Sequence, residues 1–89
     1  MQEQYIDTSR CLDEQGAALT FRYYTLTEEV QIGSFACEHY GIRVEQVGGA
    51  SAEVRGITLS ATRLKQLTEL LVNNAVTPTN LPEVISDWL

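Results

Sequence analysis

The sequence contains few of the residue types from which most catalytic and metal sites are built. It has one histidine, His39, and two cysteines, Cys11 and Cys37, among 89 residues. With a single histidine, a serine–histidine–aspartate triad is not expected, and no Gly-x-Ser-x-Gly turn is present. Neither common glycine-rich phosphate loop occurs. We predict that the protein is not an enzyme and uses no cofactor.

Basic residues are scarce as well. Six Lys and Arg stand against twelve Asp and Glu, which gives a formal net charge of -6. A surface with this charge repels phosphate backbones and anionic lipid headgroups. We therefore expect neither nucleic acid nor a membrane as a partner.

Long apolar runs are absent too. The first residues lack the basic start and apolar stretch of a secretory signal, and no window approaches the roughly 18 apolar residues of a membrane span. We expect a cytoplasmic protein. In that compartment Cys11 and Cys37 are most simply free thiols, and a disulfide between them is the alternative.

The length and the hydrophobic content of 44% favour one globular domain. We predict an α+β fold, in which an antiparallel meander over residues 18–57 is followed by a helical pair over residues 60–89 that packs on one face. Three strands are expected, or four if residues 1–16 form an edge strand. The alternative is that residues 1–16 are a mobile segment.

Alternating residues define the expected strands and their faces. The first strand has two faces, one with Leu19, Phe21 and Tyr23 and the other with Arg22, Tyr24 and Leu26. Residues 27–33 either extend this strand or bend away, with a turn at Gly33-Ser34. Residues 40–47 and 52–57 alternate around Gly48-Gly49, which predicts a hairpin. Gly41 and Gly56 within these strands indicate a bulge or a close approach of another group.

Two helices are expected after the strands. Leucines at helical spacing from Leu64 onward predict a helix with Ser60 as N-cap, which ends at Asn73-Asn74 with an Asn in the left-handed conformation. A second, shorter helix opens at Asn80, with Asn80 as cap and Glu83 reaching back to it.

The second helix carries an apolar stripe of five residues: Leu81, Val84, Ile85, Trp88 and Leu89. A helix of about ten residues is marginal in water and needs packing to hold it. The stripe must dock, either on this chain's own sheet or on that of a partner, and we expect the loss of Trp88 to threaten the fold.

Cys37 and His39 form the best constellation for chemistry, because an extended segment places both on one face. A zinc site needs three or four ligands, and no second pair at a recognisable spacing is present. The competing interpretation is a packed cysteine and a histidine at the solvent edge of a strand. A small enzyme or metal site at this pair is the alternative function.

Three arginines in predicted strands, Arg22, Arg43 and Arg55, share the face opposite the helices with Tyr24. Arginines and an aromatic ring on one sheet face resemble a small platform for single-stranded nucleic acid. Glu45 and Glu53 share that face, however, and cross-strand charge pairing needs no ligand. We favour a paired, solvated face.

An exposed aromatic patch on the uncovered face would mark a partner site. The candidate interaction residues are Arg22, Tyr24, Arg43, Arg55 and Trp88. We expect a non-enzymatic protein-interaction module that associates with itself, most simply as a homodimer, or with another protein.

The order of the motifs resembles a known family. An aromatic strand comes first, followed by Tyr40-Gly41-Ile42, a Gly-Gly turn, and a leucine-bearing helix that leads through Pro78 to a closing Val-x-x-Asp-Trp-Leu segment. This order is similar to that of short uncharacterised proteins from clostridia-like Firmicutes. The resemblance implies a bacterial cytosolic origin and no known activity. Family members tend to have His where this chain has Asn80.

Overall fold

Every strand of the molecule pairs with its neighbour along the chain. The computed structural model describes residues 1–89 and contains β1 (Gln2–Leu12), β2 (Ala18–Ile32), β3 (Phe35–Gln46) and β4 (Ser51–Thr58). The four strands form one antiparallel sheet in the order β1-β2-β3-β4. Two helices follow, α1 (Ala61–Asn73) and α2 (Leu81–Trp88). The predicted α+β class is confirmed, and of the two expected strand numbers, three or four, the sheet has four.

The fourth strand is β1, at the edge of the sheet. It pairs with β2 from Gln2 opposite Thr27 to Leu12 opposite Ala18. The Asp13 carboxylate accepts hydrogen bonds from two backbone amides of the connecting turn, at 2.9 and 2.8 Å. An aspartate at this place in a turn stabilises it through such bonds. Of the two alternatives for the first sixteen residues, the edge strand is therefore the one observed.

A bulge distorts the pairing of β3 with β4. Tyr40 lies opposite Thr58 and Ile42 opposite Val54, so four steps along β4 match two along β3. The displaced backbone of β4 crosses Gly41, where a Cβ atom would lie 2.5 Å from the Val54 carbonyl oxygen. Gly56, in the bulge, has a φ of +63°. The expectation of a bulge or close approach at these two glycines is confirmed.

Helix α1 begins as predicted and ends differently in detail. The Ser60 hydroxyl accepts a hydrogen bond from the Arg63 amide at 3.2 Å. At the other end Asn74 has a φ of -101°, and Ala75 is the residue in the left-handed region, with a φ of +47°. Asn74 uses its side chain instead, since its amide group donates to the Leu70 carbonyl at 2.8 Å.

Asn80 is the N-cap of α2 as predicted, but its side chain does not act as one. Asn80 already has helical angles, φ -85° and ψ -16°, and its side chain makes no capping hydrogen bond. Thr77 caps this turn, because its hydroxyl accepts from the Asn80 amide at 3.2 Å and its carbonyl accepts from Leu81 at 3.0 Å. Glu83 lies in the first turn, where a carboxylate suits the helix dipole, without bonding back to Asn80.

Both helices pack on one face of the chain's own sheet. Helix α1 crosses the sheet, and α2 lies against β4. Neither helix is long and apolar enough to cross a lipid bilayer. The core consists of eleven buried side chains: Phe21, Tyr23, Ile42, Val44, Ile57, Leu64, Leu67, Leu71, Val76, Leu81 and Ile85.

The stripe of α2 is only partly buried. Leu81 and Ile85 are in the core, whereas Val84 and Trp88 are half-buried against it. Leu89 is 72% exposed, so the predicted stripe is one residue too long. The reason is that α2 ends at Trp88, and the next residue no longer turns toward the sheet.

We predict that Gly41→Ala lowers the free energy of unfolding by about 1–3 kcal/mol, because the new methyl group overlaps the β4 backbone. Gly49→Ala is the matched control, since its Cβ would meet only the flexible Gln46 side chain. Urea unfolding followed by circular dichroism measures both. Equal stability of the two variants would contradict the close approach at Gly41.

The buried Tyr23 hydroxyl donates to the Val76 carbonyl at 2.9 Å and ties the sheet to the loop between the helices. We expect Tyr23→Phe to cost about 1–3 kcal/mol, because it leaves a buried carbonyl unpaired. Tyr40→Phe removes an exposed hydroxyl bond to Glu38 and should leave stability nearly unchanged. Thermal unfolding of the two variants compares them, and a harmless Tyr23→Phe would show that this bond does not fix the loop.

Candidate functional site

The face of the sheet opposite the helices is uncovered, and we call it the open face. The predicted alternation of β2 is confirmed, because Phe21 and Tyr23 are buried in the core and their neighbours point to the other side. The pairing register extends this assignment to all four strands. The open face thus follows the whole length of a molecule that measures 54 × 24 × 17 Å.

One end of the open face belongs to a two-stranded arm, residues 28–39. Strand β1 pairs with β2 only as far as Thr27, and β4 pairs with β3 only from Tyr40 onward. Beyond these points β2 and β3 continue as a hairpin, from Glu28 opposite His39 to Ile32 opposite Phe35. Residues 27–32 therefore extend β2, the turn lies at Gly33-Ser34 as predicted, and β3 starts before the predicted residue 40.

The arm has one apolar side and one polar side. Four apolar residues lie on the open face: Val30, Ile32, Phe35 and Cys37. The opposite side carries Glu29, Gln31, Ala36 and Glu38. At the tip Ile32 is 53% and Phe35 76% exposed. A hairpin with this pattern presents an apolar strip that nothing within the chain covers.

The centre of the open face carries a network around Arg43. Its guanidinium donates two hydrogen bonds to the Glu3 carboxylate, at 2.9 and 2.7 Å, and one to Glu45 at 3.2 Å. The same group lies 4.2 Å from the centroid of the Tyr24 ring. Tyr24 in turn meets the edge of Tyr5, with ring centroids 5.8 Å apart. The cation is thus held on three sides.

These contacts shift the pKa values of the two partners. Hydrogen bonding from Arg43 holds the pKa of Glu3 below its ordinary value of 4.5. The pKa of Arg43 is raised by its hydrogen bond to Glu3 and, to a smaller degree, by that to Glu45. Both shifts favour the charged forms, so the pair is ionised at neutral pH.

A second pair of contacts surrounds Arg55. Its Nε atom lies 3.0 Å from the Glu53 carboxylate and 3.7 Å from that of Glu28. The hydrogen bond to Glu53 raises the pKa of Arg55. Because β4 is displaced by the bulge, Arg55 reaches the base of the arm. The charge pairing expected for this face is observed.

The open face is electrically balanced. Four arginines and four glutamates lie on it: Arg10, Arg22, Arg43, Arg55, Glu3, Glu28, Glu45 and Glu53. The whole chain has twelve acidic and six basic residues. Eight acidic and two basic residues therefore lie elsewhere and carry the entire net charge of -6.

The structure brings together four of the five predicted interaction residues. Arg22, Tyr24, Arg43 and Arg55 share the open face as expected. Trp88 does not join them, because it lies on α2 on the other side of the sheet, with the Arg63 guanidinium 4.3 Å from its ring centroid.

Cys37 and His39 lie on the same face of the arm, as predicted for an extended segment. No third His, Cys, Asp or Glu completes a group with them that could hold a metal ion. Cys37 is a free, half-buried thiol.

Sequence reasoning missed Glu3, the contact of Tyr5 with Tyr24, and the arm. Glu3 and Tyr5 lie in the segment for which alternation is weak, yet the Asp-x-x-Gly turn after Leu12 was a signal for a hairpin that would bring them to β2. The arm also had a signal, since apolar residues alternate on both sides of Gly33-Ser34.

Comparison with protein-family models matches residues 2–89 to a family of unknown function, DUF6514. The chain belongs to this family. The expected resemblance to short proteins without known activity is confirmed at that level. The DUF6514 match includes all four strands and both helices, and hence the whole open face and the arm. Neither the curated proteins nor the solved structures compared with the chain gave a match.

We predict that Glu3→Gln lowers the free energy of unfolding by about 0.5–1 kcal/mol at neutral pH, because the ion pair is near the surface. Since Glu3 titrates below its ordinary value, its contribution is present above about pH 4.5 and is lost as pH falls further. The stability difference from the parent protein should therefore shrink in acid. Urea unfolding at pH 7 and pH 3 measures it. Glu14→Gln, in the exposed turn, is the control, and a difference that persists at pH 3 would contradict the ion pair.

Proposed function

We propose that this protein is a non-enzymatic module that associates with itself through the open face. The charge distribution is the observation that carries the proposal. Two copies with a net charge of -6 repel each other wherever their acidic surfaces meet. On the open face four positive and four negative side chains balance, so this is the side on which two copies approach without net repulsion.

The arm supports the same proposal. A two-stranded hairpin is at best marginally stable alone in water, and three or more strands or a packing partner are needed to hold it. Ile32 and Phe35 expose more than half of their surface at the tip. Covering a large apolar side chain is worth roughly 1.5–3 kcal/mol, so a partner on this strip stabilises both the complex and the arm.

The network around Arg43 suits an interface as well. Arginine and tyrosine are enriched where proteins bind one another. A buried cation without a partner is costly, whereas Arg43 already has Glu3, Glu45 and the Tyr24 ring around it. Each charged side chain of this network therefore keeps a contact with a group of opposite sign when a partner covers it. The bacterial cytoplasmic setting expected from the sequence is part of this proposal.

Sedimentation equilibrium over a range of protein concentrations tests it. We expect a mass that rises with concentration from 9.9 kDa toward twice that value. Phe35→Asp should shift the protein toward the monomer, because it places a charge on the apolar strip. Leu89→Asp is the matched control, since Leu89 is 72% exposed, against 76% for Phe35, and lies at the helical end of the chain. A monomer at every concentration, or equal effects of the two substitutions, would overturn the proposal.

A further inference from the structure

A shallow depression of about 370 Å³ lies on the open face where β1 and β2 pair. Its lining consists of Tyr5, Thr8, Arg22 and Tyr24. The two tyrosine rings meet at 67° and form an aromatic wall. Arg22 makes no ion pair within the chain, unlike Arg43 and Arg55. The depression thus offers an aromatic surface and a free guanidinium.

The arm tip has the side chain that such a depression accepts. Phe35 is the most exposed large apolar residue of the chain, at 76%. An aromatic ring packs well against tyrosine edges and against an arginine guanidinium. Phe35 cannot reach the depression of its own chain. From Tyr24 to Ile32, which lies opposite Phe35, β2 advances eight residues, or roughly 26 Å at about 3.3 Å per residue.

The two features lie on the same face, which is the condition for a reciprocal contact. In a twofold dimer the same patch of each copy forms the interface, so a projection fits the partner's depression only if both face the partner. The geometry points to a homodimer in which the arm tip of each copy, led by Phe35, fills the depression beside Tyr24 of the other. This inference rests on the proposed self-association and names the contact that produces it.

The position of the twofold axis follows from the spacing. The midpoint between Tyr24 and Ile32 along β2 is Glu28, which lies opposite His39. In the dimer, the Glu28–His39 rows of the two copies therefore meet at the twofold axis. Glu28 lies 3.7 Å from the Arg55 guanidinium of its own chain, which it shares with Glu53, so this carboxylate is not isolated at the axis. The two Glu28 carboxylates that meet at the axis therefore each have a cation of their own chain beside them.

A different symmetric arrangement packs the arms against each other and leaves the depression empty. A side chain that fills the depression blocks the first arrangement, in which Phe35 enters it, and does not affect packing of one arm against the other. Thr8→Trp should fill it from β1, and Arg22→Trp should fill it from β2. Arg22→Gln removes the same charge without filling the space, and Gln66→Trp adds an indole on the exposed side of α1 as a control.

We expect Phe35→Ala, Thr8→Trp and Arg22→Trp each to weaken dimerisation at least tenfold in sedimentation equilibrium. Arg22→Gln should weaken it less than Arg22→Trp, because it removes the guanidinium and leaves the depression open, and Gln66→Trp should stay close to the parent protein. Circular dichroism and thermal unfolding identify any variant that does not fold, and the two filling variants are independent of each other. Parent-like dimerisation by a folded filling variant would overturn the inference and favour arm-to-arm packing. A monomeric parent protein would instead overturn the proposed function itself.

Mixing two defective chains gives the most specific result. In a mixture of Phe35→Ala with Thr8→Trp, the second chain retains its Phe35 and the first retains an open depression. One of the two reciprocal contacts is therefore intact in the heterodimer. We expect native mass spectrometry to show heterodimers in excess over both homodimers. A mixture with no such excess would overturn the reciprocal contact.

Discussion

The two helices are too short to cover the sheet on which they pack. Strand β2 has 15 residues and extends for about 50 Å, whereas the 13 residues of α1 extend for about 20 Å. The helices therefore cover only part of one face of the sheet, where Tyr23 and Leu67 are buried. The arm and the whole open face remain uncovered, and they carry the Arg43 network, the apolar strip and the depression beside Tyr24.

No helix covers the open face, but ion pairs and the bulged backbone of β4 cover one apolar side chain on it. Leu26 is only 1% exposed although it points away from the helices. It lies opposite Gly41, which the bulged backbone of β4 crosses. Glu3 flanks Leu26 in the same row, Arg43 reaches Glu3 from one side of the row, and the Arg55–Glu28 pair lies on the other side. A single apolar side chain is thereby sheltered without a third layer, while the apolar strip of the arm has no equivalent cover.

The parts of the fold that sequence alone predicted are those in which the pattern repeats. Alternation placed Ile42 and Val44 in the core, and the leucine spacing placed Leu64, Leu67 and Leu71 there too. The predictions that failed concern single positions at the helix ends, where a neighbouring residue takes the role that was expected of an asparagine. Thr77 supplies the hydrogen-bonding side chain that was expected from Asn80 at the start of α2, and Ala75 takes the left-handed conformation in place of an Asn. Residue propensities indicate which residue types favour helix ends, but contacts with the rest of the chain determine which position takes each role.

The candidate site was harder to predict because it depends on contacts between distant parts of the chain. Tyr24 and Arg43 were expected on one face, and alternation suffices for that. Glu3 joins them only because the Asp13 turn sets the register of β1. The balance likewise concerns one face only after all four strands are aligned, since each strand supplies one of the four arginines and one of the four glutamates.

The central claim is that the open face, and not the helical side, is where the molecule meets its partner. Hydrogen–deuterium exchange of the parent protein at low and high concentration tests it most directly. The account predicts that amides of residues 28–39 and those around Tyr5 and Thr8 exchange more slowly at high concentration, while α2 is unchanged. Protection that rises at α2 and Trp88, or arm amides that exchange at the same rate at both concentrations, would contradict it.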